Sequence, residues 1–208
     1  LAPNPEPSEY LIDQYLVACE TIGVAGLIVI NKIDLLGGAQ RTAFLQRFDH
    51  YREIGYPLVT VSAKRAPGLE PLLPHLGAQT SILLGQSGVG KSSLVKALLP
   101  DLEIQIGRLS QATGLGRHTT STTSLYQLPQ GGELIDSPGV RSFRLGKLER
   151  RDLEFGYPEI RKLIGECRFN DCSHTDEPGC AVQAAADDGK IHPSRLANYR
   201  HMLAASQG

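Results

Sequence analysis

The sequence predicts an α/β protein with a mainly parallel sheet, followed by a small, mostly helical domain that carries a cysteine and histidine cluster. Three observations carry this expectation. Apolar runs of strand length alternate with stretches of helical apolar spacing. A Gly-rich turn, Gly85 to Ser92, stands between a strand pattern and a helix pattern. Beyond about Phe143 the alternation stops, and short charged segments surround three cysteines and a histidine.

Each element has its own signal. Ser8 caps a predicted helix running to about Thr21, with Leu11, Ile12, Tyr15, Leu16 and Cys19 on one apolar face. Val24 to Ile30 reads as a strand buried on both faces. A second amphipathic helix spans about Ala39 to Ile54, with Phe44, Leu45, Phe48 and Tyr51 together. There follow a strand at Pro57 to Val61, a weak helix near Leu69 to Leu76, a strand at Thr80 to Leu84 and a helix from Gly90 to before Pro100. From Ile104 to Thr123 Gly, Ser, Thr and Gln replace the pattern, as in a functional loop. Ser124 to Leu128 and Glu133 to Asp136, joined by Pro-Gln-Gly-Gly, read as a hairpin, and Pro193 to Ala205 as a closing helix.

A chain of 208 residues suits one main domain with a smaller appendage, and 22 Gly and 13 Pro lie below the low-complexity range. The net charge of −1 gives no bulk argument for nucleic acid or a membrane. The longest apolar run falls far short of the ~20 residues that span a bilayer, and no signal peptide is visible, so a cytoplasmic chain without a membrane partner is expected. Leu1 opens a Pro-rich stretch ending at Pro7, read as a linker from a missing upstream domain. The expected division is therefore linker 1–7, nucleotide domain 8–143 and C-terminal domain 144–208.

Gly85-Gln86-Ser87-Gly88-Val89-Gly90-Lys91-Ser92 fits the P-loop pattern, and Ser93 follows it. Its glycines let backbone N–H groups approach phosphates at a helix N-terminus. Lys91 is expected to reach the β- and γ-phosphates, and the Ser92 hydroxyl to ligate Mg²⁺. Asn31-Lys32-Ile33-Asp34 ends the buried strand, where α/β sheets bind ligands. A carboxylate at Asp34 accepts from guanine N1–H and its exocyclic amine, a pair adenine does not present. Alone, this tetrapeptide reads equally as a capping turn. Ser62-Ala63-Lys64 ends the next strand, where its backbone can contact guanine O6. Asp136-Ser-Pro-Gly139 offers an acid for Mg²⁺ through water and a glycine N–H for the γ-phosphate, or else a simple turn. In Arg117-His118-Thr119-Thr120 a threonine can complete the Mg²⁺ shell.

Cys167-x4-Cys172-x-His174-x5-Cys180 reads as a Cys₃His structural Zn²⁺ site, with a disulfide plus a stray thiol or buried unligated cysteines as the alternatives. Pro178 and Gly179 return the chain to Cys180. Around the cluster, Arg141, Arg144, Lys147, Arg150, Arg151, Arg161, Lys162 and Arg168 could meet RNA phosphates. Interspersed Glu149, Asp152, Glu154, Glu159 and Glu166 favour a salt-bridged, solvated surface instead.

The motifs run base, base, P-loop, threonine loop, DxxG, a circular permutation of the usual small-GTPase order. With Gly116 to Thr120 and the Cys167 to Cys180 cluster, the chain resembles the RsgA/YjeQ family of circularly permuted GTPases acting in small ribosomal subunit maturation. The resemblance implies a circularly permuted P-loop GTPase domain, a zinc domain, GTP and GDP as ligands, and the small (30S) subunit with its rRNA as partner. It implies Thr120 rather than Thr119 as the magnesium ligand, and an upstream OB-fold that this chain lacks. A monomer is expected. The residue after DxxG is Val140, which cannot orient water, a substitution the resemblance also implies. His118 is the candidate for that role beside the catalytic Lys91 and Thr120, with a surface loop histidine as the alternative. Hydrolysis is expected to be slow alone and stimulated by the subunit. The competing function is a non-catalytic, nucleotide-gated RNA-binding module.

Overall fold

A computed structural model describes residues 1–65, 68–100, 124–136, 146 and 148–206. It divides into two compact units, the first comprising Leu1–Pro7, Ile28–Arg47 and Leu58–Ser142, the second Ser8–Leu27, Phe48–Pro57 and Phe143–Gly208. The units thus interleave along the chain and do not follow a single boundary near Phe143. The cause is burial: α1 (Glu9–Ile22) and α3 (Asp49–Ile54) bury Asp13 and Tyr51 beside side chains of the C-terminal segment.

The first unit holds the strands. In one sheet β1 (Ile28–Ile30) pairs parallel with β2 (Leu58–Thr60). In the other, β5 (Glu133–Asp136) lies between β3 (Thr80–Leu83), its parallel neighbour, and β4 (Ser124–Gln127), its antiparallel hairpin partner. Helix α4 (Lys91–Leu98) follows the Gly-rich turn and buries Leu94, Val95 and Leu98. The Pro-rich segment read as a linker is tied to this unit: Leu1 O accepts from Asn31 N at 2.9 Å, Ala2 is buried, and Glu6 pairs with Arg47 at 3.2 Å.

Two elements differ from the sequence reading. The apolar run from Val24 is a strand only over Ile28–Ile30, and Val24 is exposed. Gly23 takes a left-handed φ of 71° that closes α1, and the next residues belong to the second unit. The predicted helix from Ala39 to Ile54 is two helices, α2 (Gly38–Gln46) and α3, because the chain passes between units after Arg47. Helix α2 buries none of its residues, whereas Phe48 and Tyr51 are fully enclosed.

The second unit is helical: α1, α3, α5 (Arg150–Gly156), α6 (Pro158–Arg161), α7 (Ala181–Asp187) and α8 (Pro193–Ser206). Its core gathers Val17, Leu153, Tyr157, Ile160, Val182, Leu196, Tyr199 and Met202. Cys19 is half-buried rather than in this core. At its centre the fully buried Arg195 guanidinium donates to Asp13 Oδ1 at 2.6 Å and to Glu159 Oε1 at 2.6 Å, while Tyr51 and Asn198 donate to the same Asp13 at 2.7 Å each. Burial alone would depress the Arg195 guanidinium, and Asp13 and Glu159 raise it above its ordinary value instead. No helix among the described residues is long and apolar enough to cross a membrane.

Candidate functional site

Strand β3 delivers the chain to Gly85, Gly88 and Gly90, whose φ values of 152°, 85° and 94° leave side-chain-bearing residues strained. Gly90 caps α4, and a Cβ there would land on the Asn31 amide nitrogen. Val89 is buried under the turn, while Ser87 and Ser92 are exposed and Gln86 and Ser93 half-exposed. The Lys91 ammonium donates to the carbonyls of Gly85 at 2.5 Å and Gln86 at 2.9 Å. Burial pushes Lys91 below its ordinary value, and Asp136, at the end of β5 opposite Leu83, acts against that. Burial likewise raises the Asp136 carboxyl, and Lys91 opposes it. The two charges therefore share one partly desolvated place at the ends of adjacent strands.

Asn31 joins three loops. Its buried side chain donates to Val89 O at 3.1 Å and accepts from Lys32 N at 2.8 Å and from Ala63 N at 3.2 Å. Lys32, with a left-handed φ of 60°, extends its ammonium over the P-loop to Gly88 O at 2.5 Å and to Asn4 O at 2.8 Å. Buried Ser62 donates to Asp34 Oδ1 at 2.6 Å and accepts from Arg65 N at 3.1 Å, which fixes the carboxylate against the second loop. Lys64 is exposed beside it. Asn31, Lys32, Asp34, Ser62 and Ala63 are thus brought together with the P-loop. His118, Thr119, Thr120, Gly139 and Val140 lie outside the described residues, as do Arg141, Arg144 and Lys147.

In the second unit one ligand atom each from Cys167, Cys172, His174 and Cys180 lies within 4.8 Å of the others. His174 Nδ1 stands 3.6 Å from Cys167 Sγ and 3.4 Å from Cys180 Sγ. A tetrahedral ion with metal–sulfur bonds of about 2.3 Å and a metal–nitrogen bond of about 2.0–2.1 Å would separate such donors by ~3.6 Å, so the donor set fits one. Burial raises the Cys172 thiol to about 12, so a thiolate at that position would need a cation beside it. Backbone N–H groups of Ala181 and Gln183 point at the Cys167 and Cys180 sulfurs at 3.3 and 3.4 Å. Gly179 turns with φ 75°, and a Cβ there would meet Arg168 Cβ at 2.9 Å.

Several supports were not visible in the residue pattern. Glu154 faces His174 Nε2 at 3.6 Å. Glu177 accepts from the hydroxyl and backbone N–H of Ser173, which with Thr175 N–H hold its carboxyl down at about 2. Arg200, from α8, donates to His174 O at 2.9 Å. Of the basic stretch, Arg150 pairs with Glu154 and Arg161 with Glu20, each at 3.2 Å. The Glu154 and Arg200 contacts to His174 and the Arg161 to Glu20 pair join separate elements, which no local pattern announces, whereas Arg150 and Glu154 are an i, i+4 pair within α5.

Strands, P-loop and permuted motif order define the fold of the circularly permuted P-loop GTPases, with a Cys₃His cluster in the helical second unit. The family model described as RsgA GTPase matches residues 1–146, and the chain belongs to that family. It is 50% identical over 204 residues to the small ribosomal subunit biogenesis GTPase RsgA of Azotobacter vinelandii, covering 98% of this chain and 60% of that protein. The Pseudomonas aeruginosa protein of the same name is 49% identical over the same length, again with 98% and 60% covered. The chain thus spans about 60% of the length of the curated relatives it matches. Among solved structures it superposes on YjeQ from Thermotoga maritima with a TM-score of 0.82 at 34% identity, covering all of this chain and 69% of that one. YloQ, described as a circularly permuted GTPase, gives 0.79 at 30% identity, with 100% and 66% covered.

Proposed function

We propose that the chain binds Mg²⁺·GTP, hydrolyses it to GDP and phosphate, and serves as a switch in late small (30S) ribosomal subunit maturation. The observation that carries this reading is Asn31, whose amide ties the base loop, the Ser62–Lys64 loop and the P-loop into one frame. In that frame Asp34 selects guanine, the Gly85–Ser93 backbone wraps the phosphates, and Lys91 neutralises charge developing on them. Ser92 and Thr120 would hold Mg²⁺, with Asp136 acting through water and the Gly139 N–H sensing the γ-phosphate. Mg²⁺ would draw charge from the phosphate oxygens. His118 holds the attacking water, since Val140 has no group to do so.

The Cys167, Cys172, His174 and Cys180 cluster holds one structural Zn²⁺, because four protein donors leave no open position. The protein acts as a cytoplasmic monomer, and the basic residues around the cluster, Arg151, Lys162 and Arg168 among them, contact rRNA. Names of the relatives, small ribosomal subunit biogenesis GTPases, support the partner.

Multiple-turnover phosphate release, with and without small subunits, tests this. Turnover is slow alone and rises with subunits, and His118→Ala removes that rise while GTP affinity stays constant, because the lost contact belongs to the transition state. Lys91→Ala instead weakens GTP binding itself. Val140 favours one second reading, a non-catalytic nucleotide-gated RNA-binding module. Absence of turnover on the subunit would establish that reading over the first.

A further inference from the structure

Apart from the residues of both sites, Glu9, His50 and His192 each offer one ligand atom, all within 4.8 Å of one another. They come from separate elements of the second unit: Glu9 opens α1, His50 lies in the first turn of α3, and His192 stands just before α8. His50 is buried, and its Nε2 has no hydrogen-bond partner. That is a costly arrangement for an enclosed polar atom unless something answers it. His192 is exposed and lies over His50 in a near-parallel stack, with ring centroids 4.1 Å apart and planes 9° from parallel. Its Nδ1 accepts from the Ser194 backbone N–H at 3.3 Å and stands 2.8 Å from Ser194 Oγ, so the neutral ring carries its proton on Nε2, and a cation bound there displaces that proton.

We propose that Glu9, His50 and His192 form a second metal site, specific for a divalent transition-metal cation of the zinc type, separate from the cysteine cluster. Two imidazoles and a carboxylate select zinc, cobalt or nickel over magnesium or calcium, which prefer all-oxygen shells. In a tetrahedral site with metal–nitrogen bonds of about 2.0–2.1 Å, neighbouring donors stand ~3.4 Å apart. Donors within 4.8 Å of one another reach that spacing when the exposed His192 ring turns out of the stack. Three protein donors leave the fourth position to water, open to solvent on the His192 side. Burial holds the His50 imidazole down at about 4, so it is neutral and able to ligate at pH 7. A bound cation would fasten α1, α3 and α8 together, three elements far apart in the chain.

Titration of the whole 208-residue chain with cobalt(II), its cysteine cluster first loaded with zinc, reads the site directly. One further equivalent of cobalt binds, giving visible d–d bands of the intensity a tetrahedral ion shows, with no sulfur-to-metal charge transfer. His192→Ala, at an exposed position, weakens that binding by at least about tenfold and leaves the zinc content of the cluster unchanged. A titration that shows no further equivalent overturns the proposal. So does equal binding by the variant, or a thiolate charge-transfer band from the added cobalt.

Discussion

Asn31 carries more of the proposed nucleotide site than its size suggests. Truncation by Asn31→Ala leaves the buried Val89 carbonyl and the part-buried Lys32 and Ala63 N–H groups without this partner, and the unmet buried carbonyl alone costs about 1–3 kcal/mol. Binding of a fluorescent GDP analogue, followed by titration, is expected to weaken by at least about tenfold, since 1.4 kcal/mol is a factor of ten. A second residue-scale prediction concerns His50. Burial, assisted by His192 and Arg195 and opposed by Glu9 and Glu159, holds its imidazole at about 4, against an ordinary ~6.5 in the unfolded chain. Between those values the unfolded chain takes up a proton that the folded one refuses, so stability falls as pH drops from about 6.5 toward 4. Urea midpoints measured across that window without added divalent cation should fall less steeply in His50→Gln than in the parent. The residues that spacing alone made legible were those within one short motif, Gly85 to Ser92 and Asn31 to Asp34. The Asn31 to Val89 bond spans 58 positions, and no local pattern announces it.

Among the elements, the strand-to-helix junction at the P-loop, the β4–β5 hairpin and the closing helix followed from periodicity and turn chemistry. The break between α2 and α3 did not, because Phe44, Leu45, Phe48 and Tyr51 keep helical spacing across it although the chain changes units there. Hydrophobic periodicity reports that a face is buried, not which body buries it. The run Val24 to Ile30 misled in the same way, joining the end of one unit to the first strand of the other. The helices of the second unit depend on Arg195, whose charge is answered by Asp13 of α1 and Glu159 of α6. Arg195→Ala leaves two carboxylates buried without their cation and should destabilise this unit by about 3–5 kcal/mol, read as a lowered urea midpoint. Replacing Lys190, whose pairing with Asp188 at 3.0 Å is well exposed, should shift the midpoint by less than about 1 kcal/mol.

For the whole molecule, a linear reading placed the nucleotide domain before the cysteine cluster, and in that order the motifs are legible. Interleaving was not, because it is written in pairs such as Asp13 and Arg195 that share no motif. It makes a prediction about metal removal. When a strong chelator strips the cluster, or Cys172→Ser disables it, amide exchange should quicken in α1 and α3 together with α5 to α8, while β3 and α4 keep their protection. Equal quickening in α4, or an α1 that stays protected, would contradict the division into these two units.

The same pairing has a consequence for synthesis. Asp13 emerges 182 residues ahead of Arg195, a lag of about 10 to 40 s at a translation rate of roughly 5–20 residues per second. Through that interval α1 carries a carboxylate with no guanidinium to meet it and an apolar face without its core, while the strands and P-loop made after it already have their neighbours. Helix α1 is thus among the last to settle, and a nascent chain halted before α8 would hold a completed P-loop while α1 still waits to fold.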